Sequence, residues 1–76
     1  MKELITFIAE KLVDEPEAVD VTCREDDDSL TIELRVAQED LGKVIGKQGR
    51  TARAMRTVLA TAAARLDKRS RLEILE

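Results

Sequence analysis

The spacing of apolar residues changes period along the chain, and each change dictates an element. From residue 2 to 13, Leu4, Ile5, Ile8 and Leu12 recur at intervals that line one face of a helix. Pro16 ends that pattern, because the residue ahead of a proline avoids the helical region. Val19, Val21 and Cys23 then alternate with Asp20, Thr22 and Arg24, the period of a half-buried strand. After a polar connection, Asp26-Asp27-Asp28-Ser29, the alternation resumes with Leu30, Ile32, Leu34 and Val36 against Thr31, Glu33 and Arg35. Strands this close in sequence predict an antiparallel hairpin. The helical period returns twice. Residues 39–45 carry Leu41, Val44 and Ile45 on one face, with Glu39 and Asp40 favouring the positive N-terminal end. From Arg50 to about Leu66, Met55, Val58, Leu59, Ala62, Ala63 and Leu66 recur every three or four residues among helix-favouring alanines. A last strand, Arg71 to Leu75, turns Leu72 and Ile74 inward. The order α-β-β-α-α-β makes this an α+β chain, and without repeat, low-complexity tract or linker, residues 1–76 read as one domain.

A chain of 76 residues can build one core but no cavity between domains, which argues against a large enzyme. No apolar run reaches the roughly 18 residues of a membrane span, and Lys2 and Glu3 open a helical pattern rather than a signal peptide, so a cytoplasmic location without membrane attachment is expected. Cys23 is the only cysteine, which excludes an intramolecular disulfide or a cysteine-based zinc site and leaves it as a small core residue in a reducing compartment. There is no histidine, the commonest general base and transition-metal ligand. The acidic triplet 26–28 lacks the ligand spacing and closing glutamate of an EF-hand loop and reads as a charged turn. Neither a metal nor a cofactor is expected.

The net charge of −3 hides a partition. Residues 1–41 hold 4 basic and 13 acidic side chains, whereas residues 42–72 hold 9 basic and 1 acidic. Such an asymmetry prepares one face for an anionic partner while the remainder keeps the chain soluble. At the start of the basic half lies Val44-Ile45-Gly46-Lys47-Gln48-Gly49-Arg50-Thr51-Ala52. A Walker A loop needs two glycines separated by four residues, followed by Lys and a hydroxyl residue, and follows a strand; here Gly42 and Gly46 are separated by three residues and Gln48 follows Lys47. A dinucleotide fingerprint lacks its first glycine pair. What remains is Gly-x-x-Gly between two helices: a sharp turn that a sugar-phosphate backbone can approach closely, with the amides of the next helix aimed outward. Lys47 adds a charge at the tip, and Arg50 and Arg53 follow within reach of neighbouring phosphates. Lys43 is a further candidate contact.

The segment from Gly42 to Leu59, with the hairpin ahead of it, resembles the KH domain, and the element order resembles its type II arrangement. With almost nothing outside that domain, the chain is similar to the small bacterial single-KH proteins of the KhpA family. The resemblance implies a three-stranded mixed sheet packed on one face by three helices, and single-stranded RNA bound without catalysis in a groove beside the loop. It implies that Gly46, Lys47, Gln48 and Gly49 clamp the backbone of about four nucleotides, that Gly42 and Ile45 face the bases, and that Ala52 lies at the groove floor. Ala52 is smaller than the aliphatic residue usual there, which implies a shallower or wider groove floor. Part of the opposite wall is expected from the second strand, Leu30 to Val36. An RNA chaperone or post-transcriptional role is implied, and so is partnership as a homodimer or with a larger KH-containing RNA-binding protein.

Phe7 is the only aromatic residue, which removes the stacking platforms of RRM and OB modules. Arg56, Arg65, Lys68, Arg69 and Arg71 extend the positive charge beyond the loop, either along an RNA path or, for those near the helix C-terminus, against the helix dipole. The alternative to an RNA-binding module is an assembly subunit whose surface mainly meets other proteins.

Overall fold

The computed structural model describes residues 2–75. Helix α1 (Lys2–Leu12) leads through a single 3₁₀ turn at Pro16–Ala18 into strands β1 (Asp20–Glu25) and β2 (Ser29–Arg35). Helices α2 (Leu41–Ile45) and α3 (Arg50–Ala64) follow, and β3 (Arg69–Leu75) closes the chain. The strands lie in the order β1-β2-β3. The hairpin pairs antiparallel, with Cys23 opposite Ile32, and β3 runs parallel to β2, with Leu72 opposite Ile32. A parallel pair needs a long crossover, and α2 with α3 supplies it. Among the described residues, no helix is long and apolar enough to cross a membrane.

Period-two patterning makes the sheet two-faced. Leu30, Ile32 and Leu34 of β2 are buried under the helices, and Thr31, Glu33 and Arg35 point the other way. Ile5 and Ala9 of α1, Val44 of α2, and Met55, Leu59 and Ala63 of α3 complete the core with Val21, Val36 and Leu72. The buried stripe of α1 centres on Ile5 and Ala9, so Leu4 and Leu12, expected inside, are exposed. The small Ala9 lets the helix sit close to β1.

Helix α3 ends at Ala64, two residues earlier than its apolar pattern suggested. Asp67 adopts a left-handed conformation (φ 59°), the Lys68 N–H donates to the Ala63 carbonyl (3.0 Å) and the Asp67 N–H to Ala64 (3.0 Å). This is a Schellman closure with aspartate where glycine is usual. Leu66 falls in that turn and is 53% exposed. The Lys68 ammonium then donates to the Glu25 carboxylate and to the Asp26 carbonyl (2.8 Å), tying the entry of β3 to the hairpin end. Lys68 therefore serves the fold rather than a basic track.

Cys23 is a correction: it is exposed, not part of the core. It shares a face with buried Val21, but β1 is an edge strand, and Cys23 opens onto a shallow cleft beside Lys2, Glu25, Leu30 and Leu66 beyond the helical cover. Alternation identifies the face a side chain takes but not how far the covering layer extends.

Candidate nucleic-acid interface

The short helix α2 stops because Gly46 takes φ 79° and ψ 170°, a conformation open essentially to glycine alone. Its N–H still bonds to the Gly42 carbonyl (2.8 Å). Lys47, Gln48 and Gly49 form one 3₁₀ turn closed by the Gly49 N–H on the Gly46 carbonyl (3.0 Å). Gln48 (φ 56°) and Gly49 (φ 74°) are both left-handed, so the chain reverses between helices within four residues. A Cβ added to Gly46 would collide with Thr51, whose own Cβ lies 2.7 Å and backbone nitrogen 2.8 Å from it, whereas one on Gly49 or Gly42 meets nothing within 4 Å.

The turn delivers the chain into α3 with Gly49 at the N-cap position and no side chain bonded to the first-turn amides. The Arg50 N–H donates to the Lys47 carbonyl; the amides after it in the first turn have no intrahelical acceptor, and they carry the positive end of a 15-residue helix dipole. Around them the cations gather. The Lys47 side chain is exposed, and its ammonium makes no hydrogen bond or ion pair among the described residues. Arg53 donates to the Gln48 carbonyl and Arg50 to the Gln48 side-chain oxygen, each at 3.4 Å, so both guanidinium groups fold back toward the loop. The arrangement is a solvent-facing set of backbone and side-chain donors suited to a phosphate.

The remaining sequence-derived candidates divide. Ile45 is 41% exposed at the loop's base, an apolar surface next to the donors, and Gly42 lies on the open side of α2. Ala52 is buried beneath the first turn of α3, so it sits under the surface. Lys43 points away from the loop: its ammonium lies 3.0 Å from the Asp14 carboxylate and 3.8 Å from that of Asp40. The Asp14 hydrogen bond and charge hold Lys43 above its ordinary pKa.

The second strand, Leu30 to Val36, is expected to supply part of the opposite wall. Strand β2 is central, paired along both edges, and its inward residues are buried, so it offers no free edge. Strand β3 lies along α3 instead, and its outer edge is unpaired. Arg56 bridges the two, donating to the Leu72 carbonyl (3.4 Å), in a cleft of about 330 Å³ lined by Arg56, Leu59, Ala60, Ser70, Arg71 and Leu72. The sequence signal was present: a parallel strand after a helical crossover must lie beside its partner, and only β1 or β3 can then be outermost.

Residues 2–74 match the family described as KhpA/KhpB, KH domain. The chain belongs to the KhpA/KhpB family of KH domains. A helix, two strands, two helices and a strand around a mixed sheet are the type II KH fold. RNA-binding protein KhpA of Listeria monocytogenes is 53% identical over all 76 residues of both chains. The KhpA of Clostridium perfringens is 51% identical over 99% of this chain and 100% of its own, and that of Borreliella burgdorferi 49% over 97% and 90%. This chain covers 90–100% of the length of each of these relatives. No solved structure matches.

Proposed function

We propose that the chain binds single-stranded RNA without chemical change, holding the sugar-phosphate backbone on the Gly46-Lys47-Gln48-Gly49 turn. The observation that carries this reading is the uncapped N-terminus of α3 behind a turn of two left-handed residues, with Lys47, Arg50 and Arg53 clustered about it. The relatives' name, RNA-binding protein KhpA, supports it. Bases then lie over Ile45 and Gly42 and along the cleft between α3 and β3, where Arg56 supplies donors, while Ala52 stays beneath the floor. A modest set of contacts and no aromatic platform suit transient binding of many RNAs, the behaviour of an RNA chaperone or post-transcriptional regulator. Fluorescence anisotropy with a labelled oligoribonucleotide tests this against Gly49→Asp, a substitution for which the loop has space. The variant keeps its circular dichroism and loses binding, because its carboxylate opposes the phosphates. A folded Gly49→Asp chain with undiminished affinity overturns the clamp.

A second reading rests on the exposed apolar side chains Leu4, Phe7 and Val58 of the helices and Leu66 of the turn after α3. These suit a chain that also assembles, with a second copy or with a larger KH-containing RNA-binding protein, and pairing two small RNA sites raises affinity through effective concentration. Light scattering across a concentration series, with and without RNA, separates assembly from monomeric binding.

A further inference from the structure

Asp40 is the one charged side chain buried in the described structure, at 1% exposure. It stands at the N-cap of α2, where an aspartate ordinarily accepts from its own helix, yet it makes no such bond. Its carboxylate reaches across the fold instead. Oδ1 accepts the Asp14 N–H at 3.2 Å and Oδ2 accepts the Glu15 N–H at 3.0 Å, so both oxygens bind the stretch that follows α1, about 25 residues away in sequence. Lys43, one turn further along α2, closes a second link to the same stretch through Asp14 Oδ2 at 3.0 Å. A carboxylate is costly to bury unless its oxygens are satisfied, and here each has a donor.

Helix α2 has five residues, too few to hold its own geometry in water. Its apolar anchors, buried Val44 and half-buried Leu41, are non-directional contacts that fix depth more than rotation. The two amide bonds are directional, and the chain from Asp40 runs through a single helical turn and a half into Gly46. We infer that Asp40 is a positioning residue for the RNA site: by clamping the start of α2 to residues 14–15 it sets the aim of the Gly46–Gly49 turn. This rests on the RNA-binding reading above, and it separates from simple electrostatics by sign. Asp40 carries negative charge close to a loop meant for a polyanion, so removing that charge alone tightens binding. Removing a tether weakens it.

The experiment uses Asp40→Asn, which keeps the shape but turns an amide NH₂ toward one of the two backbone donors, with Glu17→Gln as control, since it removes an exposed carboxylate from the same segment without touching either backbone bond or the Lys43–Asp14 link. With a fluorescein-labelled oligoribonucleotide at low salt, Asp40→Asn binds about tenfold more weakly, and Glu17→Gln binds as the parent chain or more tightly. Without RNA, the Gly46 and Gly49 amide resonances move in Asp40→Asn, while circular dichroism stays unchanged. A folded Asp40→Asn chain that binds equally or more tightly, or whose glycine resonances coincide with the parent's, overturns the inference. If Asp40→Asn does not fold, hydrogen exchange in the parent chain decides: RNA slows exchange at the Asp14 and Glu15 amides, and exchange unchanged there while Gly46 and Gly49 respond refutes the coupling. Failure of the RNA reading itself shows separately, as a parent chain that does not bind the oligonucleotide at all.

Discussion

Gly46 and Gly49 bracket the same turn, but their substitution by alanine should differ sharply. At Gly49 the backbone is ordinary left-handed (φ 74°, ψ 14°) and the space for a Cβ is open, so Gly49→Ala meets only the left-handed penalty of about 1 kcal/mol. At Gly46 the φ of 79° comes with ψ of 170°, a region closed to residues with a Cβ, which costs roughly 1–3 kcal/mol. The new Cβ also lies 2.7 Å from the Thr51 Cβ and 2.8 Å from its backbone nitrogen, and forcing such an overlap adds about 1–3 kcal/mol more. Gly46→Ala should therefore cost about 2–6 kcal/mol, against a total near 4–11 kcal/mol for a chain of this length. Urea unfolding followed by circular dichroism measures both. With a slope of about 1 kcal/mol per molar urea, the Gly49→Ala midpoint falls by about 1 M, and that of Gly46→Ala falls at least twice as far or its transition disappears. Equal midpoints, or a greater loss at Gly49, would refute the reasoning that the first glycine is required by packing against Thr51 and the second only by conformation.

If Lys47, Arg50 and Arg53 supply about three phosphate contacts, as proposed, log affinity for single-stranded RNA should fall with log salt at a slope of roughly −2. Anisotropy titrations over several salt concentrations give the slope, and Lys47→Ala should make it shallower by about 0.7; a slope near zero excludes phosphate contacts. Asp67→Gly should raise stability by about 0.5–1 kcal/mol, because aspartate occupies the left-handed position of the α3 closure. A fall in the thermal midpoint of that variant contradicts the assignment. Two carboxylates titrate in opposite senses: the Lys68 hydrogen bond and charge hold Glu25 below its ordinary pKa of 4.5, so its contribution is complete above that value and lost as pH falls through the lower folded one. Glu39 pushes Glu15 up from 4.5, first through their shared hydrogen bond and then through repulsion, so its penalty is present at neutral pH and relieved as pH falls. Glu15→Gln should accordingly raise the urea midpoint at pH 7 and lose that gain below pH 4.5, and a gain larger in acid than at neutrality contradicts it.

Element order, the hairpin and the glycine turn were legible because each is written in local periods and breakers. What was illegible depends on tertiary cover. Cys23 alternates correctly with Val21, yet its exposure depends on where the helical layer stops above an edge strand. Asp40 looked like a dipole-matching residue at a helix start, and only the return of residues 14–15 to that corner shows its carboxylate turned inward. Lys43 is indistinguishable from Lys47 by charge and spacing, but an acidic neighbour 29 residues away claims it. Of the candidate contacts, Gly46, Lys47, Gln48, Gly49, Arg50 and Arg53 come together, and Arg56 with β3 joins them because the parallel crossover brings the last strand alongside α3.

The open end of α3 has a consequence for the whole molecule. A helix start without its own cap leaves part of the native state's hydrogen bonding to whatever the solvent contains, so the folded population itself becomes sensitive to dissolved oxyanions. Occupancy and foldedness are then two readings of one equilibrium, and the chain should be at its most robust when its cargo is abundant.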